Sequence, residues 1–82
     1  MNGIKKVADL TLAAFLQTEG HKLQGVKGDG HKAFFLFNDT PKLERDTLRY
    51  YNKEALVDPF SFGEILRNFK GLAVANRRSY KP

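Results

Sequence analysis

Cysteine is absent from this 82-residue chain. That excludes disulfides and thiolate metal sites, and nothing favours an oxidising compartment. Long apolar runs are missing as well: Ala33 to Phe37 falls far short of the ~20 residues a membrane helix requires. Met1-Asn2-Gly3-Ile4-Lys5-Lys6 leads into Val7-Ala8-Asp9 rather than an apolar segment, so no signal peptide is expected. The plain expectation is a soluble, cytoplasmic, bacterial-type protein with no membrane partner. Nucleophiles are scarce: Ser61 opens a helix, Ser79 lies in a basic stretch, and neither has a histidine close in sequence. One domain fits this length, with a thin core that buries roughly 60–65% of the unfolded surface.

What is plentiful is positive charge, +5 net with a pI near 9.7. Lys5 and Lys6 lie at one end, and Arg77, Arg78 and Lys81 at the other; setting these aside leaves as many basic as acidic residues. The excess therefore belongs to the ends. Basic ends serve either as solubilising tails or as non-specific phosphate contacts.

The most apolar stretch is Ala33-Phe34-Phe35-Leu36-Phe37, preceded by Gly28-Asp29-Gly30. It reads as the second strand of a β-hairpin, with Asp29-Gly30 at the two central positions of a type I′ turn. The first strand runs from His21 to Lys27. In that register Leu23 faces Leu36, Gly25 faces Phe34 and Val26 faces Ala33. Phe34 and Leu36 occupy one face and Phe35 and Phe37 the other, so the strand is either covered twice or leaves an exposed aromatic patch.

Helix signals surround it. Asp9 caps an almost wholly apolar helix running to about Thr18, and Gly20 takes the left-handed position after it. Thr40-Pro41 starts a second helix to about Asn52, with one apolar stripe and a charged remainder. Asp58-Pro59 starts a third, with Ser61 and Glu64 forming a second capping box and Phe62, Ile65, Leu66, Phe69, Leu72 and Ala73 at the helical period. Gly71 ends this helix or weakens it. Ile4 to Ala8 suits a short edge strand carrying two lysines.

No grouping of residues rises to a catalytic site, and no cofactor or metal is expected. His21 and His31 sit at opposite ends of the hairpin, ~23 Å apart at ~3.3 Å per residue, too far to share one ion. Gly25 to Gly30 matches phosphate-binding loops in composition alone, since a strand rather than a helix follows. Lys32 to Phe37 is similar to the aromatic strand of RNA-recognition domains but lacks its second glycine. Asp39, Glu44 and Asp46 are interleaved with Lys42, Arg45 and Arg49 and read as a solvated face laced with local ion pairs. Of Tyr50 and Tyr51, one ring is expected in the core and one partly exposed, where it can anchor a partner.

The order of these signals (Asp9 to Leu16, Gly20-His21, the Asp29-Gly30 hairpin into Phe34 to Phe37, Val57-Asp58-Pro59, and a last helix ending near Lys70) resembles a family of small bacterial proteins that is a domain of unknown function. The likeness runs from Val7 to about Val74. It implies a single small α+β domain and carries no activity, cofactor or catalytic residue.

The expected fold is thus α+β, in the order (β)-α-β-β-α-α, spanning residues 1–76 with a flexible basic tail at 77–82. The first and third helices should supply most of the core with Leu23, Phe35, Leu36 and Phe37. The expected role is a non-enzymatic binding or regulatory module acting through a protein partner or a homodimer, with Phe34, Leu36, Tyr50 and Tyr51 as candidate contacts. The alternative is a nucleic-acid accessory protein using Lys5, Lys6, Lys27, Lys32, Arg77, Arg78 and Lys81.

Overall fold

The chain folds as β1 (Ile4–Val7), α1 (Leu10–Thr18), β2 (Gly25–Gly28), β3 (Ala33–Asn38), α2 (Pro41–Tyr51) and α3 (Pro59–Arg78). The structure, a computed structural model, describes residues 3–78, with side chains through Asn76. Ser79 to Pro82, Lys81 among them, lie outside the described residues, as do the side chains of Arg77 and Arg78.

Each helix starts where its capping residue stands. The Asp9 carboxylate accepts the Leu12 amide at 3.1 Å, Thr40 Oγ1 accepts the Leu43 amide at 3.0 Å, and Asp58 accepts the Ser61 amide at 2.8 Å. Such a cap satisfies an otherwise orphaned donor and stabilises by ~1 kcal/mol. Gly20, with φ +97°, ends the first helix as a left-handed residue. Gly71 does not end α3, which continues through it to Arg78.

The sheet is three-stranded and antiparallel in the order β1-β3-β2, so the phenylalanine-rich strand is central and Ile4–Val7 supplies one edge. The hairpin departs from the expected register by two residues: Gly25 pairs with Leu36, Val26 with Phe35, Lys27 with Phe34 and Gly28 with Ala33. The cause is the turn. The Asp29 carboxylate accepts the amides of both His31 (2.9 Å) and Lys32 (2.7 Å), and the Asp29 amide donates to the Lys32 carbonyl (3.1 Å). Among the described residues Lys53 is the one non-glycine with positive φ, so Asp29 is not in the left-handed region that a type I′ turn needs. A four-residue loop replaces the two-residue turn. The same closure shortens the first strand to Gly25–Gly28, and Gly25 lies beside Leu36 rather than Phe34. A slip of two preserves the faces, which is why the burial pattern still alternates as expected.

All helices pack on one face. Ala33, Phe35 and Phe37 are buried there, with Phe35 stacked on Phe69 of α3 at 4.8 Å between centroids. The first helix forms the centre of the core: Leu12, Ala13, Ala14, Phe15 and Leu16 are all buried in succession, as befits a helix covered on every side. Leu36 is not a core residue. It shares the opposite, open face with Phe34, both half-buried, while Leu23 packs at the core margin. The doubly apolar strand is therefore covered once by helices, and its second aromatic row meets solvent and lysine.

Candidate binding surface

The densest polar group joins α2 to the turn after α1. Asp46 is only 4% exposed, so it does not belong to the solvated helix face expected for it. Its Oδ2 accepts from His21 Nε2 (2.7 Å) and Lys42 Nζ (2.8 Å), and its Oδ1 from Arg49 Nη1 (3.0 Å). Arg49 also donates to Glu19 Oε1 at 3.0 Å, and Lys42 to the Glu19 carbonyl at 3.1 Å. Burial pushes the Asp46 carboxyl up, but the hydrogen bonds from Lys42, His21 and Arg49 and the charge of Lys42 outweigh it and hold the group at about 2. Both carboxylate oxygens are engaged, Oδ2 twice and Oδ1 once, each time by a cation or an imidazole. The arrangement is a clamp with no nucleophile hydrogen-bonded to it.

His31 sits exposed at the hairpin tip, on another element from His21. Among the described residues no three or more His, Asp or Glu side chains gather as a metal site would. Ser61 stays within its helix cap, its amide bonded to Asp58.

Three surfaces remain. The first is the open sheet face. Pairing sets Lys6 beside Leu36 and Lys27 beside Phe34, and the Lys6 ammonium stands 6.0 Å from the Phe34 ring centroid. Of the basic residues expected to act together, this face gathers Lys6 and Lys27. Lys5 points to the helical side, opposite Phe37, and Lys32 is exposed at the hairpin loop.

The second surface is a groove between β1 and α2. Lys5 takes a core-facing register position, yet it is exposed, because the helical layer does not reach across the first strand there. A cleft of about 450 Å³ opens beside it, floored by Val7 and Leu12 and flanked by Thr47 and Tyr51. A smaller one of about 130 Å³ continues past Lys5 and Thr47 to Leu43, Glu44 and Leu48. Tyr50 lies half-buried, its ring 5.9 Å from Phe15, and burial followed by the Asp9 charge raises its pKa. Tyr51 meets Tyr50 edge-on at 5.3 Å and is 60% exposed; Leu48, one turn earlier, is 57% exposed. The two tyrosines thus divide as their spacing implies. Leu48 escaped the sequence reading because it belongs by period to the apolar stripe, which is wider than the core beneath it.

A third exposed cluster stands where α2 passes to α3: Leu56 is 83% and Phe60 72% exposed.

A family model described as a domain of unknown function, DUF5659, matches residues 2–75. The chain belongs to this family. The match spans nearly the whole described fold and agrees with the resemblance carried by the caps, the hairpin and the last helix. No curated protein and no solved structure matches the chain. No helix among the described residues is long and apolar enough to cross a membrane.

Proposed function

We propose that this protein is a non-enzymatic binding module that engages a protein partner along the β1–α2 groove. The observation that carries the reading is the pairing of Leu48 with Tyr51. Large apolar side chains one turn apart stand more than half exposed beside a strand edge that no other strand among the described residues covers. Contiguous apolar surface of this kind marks interaction sites, and tyrosine is a favoured anchor because it buries much area for little conformational entropy. The polar chemistry supports the same reading: the most strongly perturbed carboxylate, Asp46, spends its acceptors on Lys42, His21 and Arg49 and so is not poised as an acid or base.

The test places a photo-crosslinking phenylalanine analogue at Tyr51 in living cells, with the same probe at exposed Lys70 on α3 as control. A discrete adduct at 51, absent at 70 and lost when Leu48→Ser is added, is the expected result. Equal labelling at both sites, or no adduct at Tyr51, overturns the reading.

A second reading rests on the open sheet face, where Lys6 and Lys27 flank Phe34. A cationic platform with an aromatic centre suits single-stranded nucleic acid. Affinity for oligothymidylate would then fall steeply with salt and fall again in Lys27→Ala; a flat salt dependence removes this alternative.

A further inference from the structure

We infer that β1 is a docking edge, to which an extended, carboxylate-bearing segment of a partner protein adds as a fourth strand, seated against α2. The inference rests on the protein-binding reading above and specifies how the partner is held.

The ladder shows which backbone groups are free for it. The Asp39 amide donates to the Gly3 carbonyl at 2.9 Å, so the Gly3 carbonyl turns toward the β3 side. Antiparallel pairing alternates, so Lys5 and Val7 also turn their N–H and C=O toward β3, at Phe37 and Phe35. The backbone groups of Ile4 and Lys6 therefore point outward, at the sheet edge. An incoming strand meets two donors and two acceptors already fixed in an extended conformation. Strand addition draws affinity from such main-chain bonds and specificity from the positions of alternate side chains.

The side-chain surroundings specify the guest. Residues opposite Lys5 and Val7 enter the groove; residues opposite Ile4 and Lys6 face the open side of the sheet. Opposite Val7 the floor is Leu12 and the wall Tyr51, which calls for an apolar side chain. Opposite Lys5 and Lys6 the neighbours are ammonium groups, which call for carboxylates, because opposite charges directly across a pair of strands attract. Asp9 at one end of the groove and Asp39 and Glu44 at the other repel a longer acidic run.

Charge also decides against a second copy of this chain. The antiparallel register that pairs the outward backbone groups of Ile4 and Lys6 with those of a second copy sets Ile4 against Lys6 and Lys5 against Lys5. Like charges directly opposite are destabilising. Edge lysines commonly guard against this self-pairing, and the same guard admits a strand of the other sign.

The experiment uses the full chain, labelled with ¹⁵N, and three synthetic octapeptides. One alternates valine and threonine with two central glutamates, the second has lysines in their place, and the third is the chain's own residues 2–9. The glutamate peptide should shift the Ile4 and Lys6 amides, slow their exchange, and bind about tenfold more tightly than the lysine peptide. Lys6→Pro removes an outward donor without touching the β3 ladder and should abolish binding. The double variant Lys5→Glu, Lys6→Glu should reverse the order of the first two peptides, and it decides the matter if the proline variant fails to fold.

Equal binding of the glutamate and lysine peptides overturns the inference, as does the absence of any shift. Shifts at Leu48 and Tyr51 with none at Ile4 and Lys6 overturn strand addition and leave the protein-binding reading intact. Tighter binding of the chain's own peptide makes the guest a second copy and overturns the choice of partner.

Discussion

Asp46→Asn removes the charge at the centre of the α2 clamp and almost nothing of its shape. In the wild type the carboxylate accepts three hydrogen bonds, from His21, Lys42 and Arg49. An amide can offer one oxygen to these donors and turns its own NH₂ toward the rest. The cost can be scaled from the titration of the group itself. Its pKa falls from the ordinary 3.8 to about 2, and at 1.36 kcal/mol per unit the folded state gains about 2–3 kcal/mol from the ionised form. Lys42 and Arg49 are partly exposed and can turn to water when the carboxylate is lost, so the loss should stay below the 3–5 kcal/mol typical of a fully buried broken pair. Expected is about 2–3 kcal/mol less stability at pH 7, a fall in Tm of about 10–20 °C for a domain of this size.

The pH dependence gives a second, independent reading. A carboxyl whose folded pKa is depressed contributes its full stabilisation above the unfolded value and loses it as pH falls through the folded one. The wild type should therefore lose this increment between pH 3.8 and about 2. Asp29 and Asp58, whose carboxyls are also held low by backbone hydrogen bonds, titrate in both proteins and cancel in the difference. Urea melts of the two proteins across a pH series supply that difference curve. A loss below ~0.5 kcal/mol at pH 7, within the ordinary scatter of surface substitutions, or a difference that stays flat from pH 5 to pH 2, would refute the clamp.

Gly71→Ala should raise stability by about 1 kcal/mol, because α3 runs straight through an exposed glycine whose added Cβ meets nothing within 4 Å; a drop in urea midpoint would contradict this. Thr40→Ala should cost about 1 kcal/mol by orphaning the Leu43 amide, and Thr40→Asp should restore most of it. Phe37→Ala, at a fully buried position, should cost about 3–5 kcal/mol, whereas Leu56→Ser should stay within about 0.5 kcal/mol. Thermal melts of the pair check both, and similar Tm values for the two would show the burial assignment to be wrong.

The parts of the fold visible in the sequence are those decided within a few residues. Asp9, Thr40-Pro41 and Asp58-Pro59 each act on their own helix's first turn, and Gly20 on the residues just before it, so no tertiary information is needed to place them. The hairpin register was not legible because Asp29 chose between two local roles. Its tolerance of left-handed φ favours a tight turn, whereas its carboxylate, bonded to two following amides, favours the longer loop. The Asp46 clamp was half legible. Asp46 stands three residues after Leu43 and four before Tyr50, hence on the apolar stripe, with Lys42 and Arg49 at helical spacing. Its third partner, His21, lies in a loop that helical spacing cannot reach. The groove was not legible at all, since Lys5 reveals its unusual place only once it is set opposite the buried Phe37.

The position of β1 in the sheet bears on how the chain assembles. Lys5 pairs with Phe37, so β1, made before the other two strands of this sheet, has no strand to pair with until β3 has emerged. Non-local closure of this kind comes late because its entropy must be met before its contacts exist. During synthesis Ile4–Val7 would remain solvated while the hairpin forms, and its two lysines are well suited to keep it so.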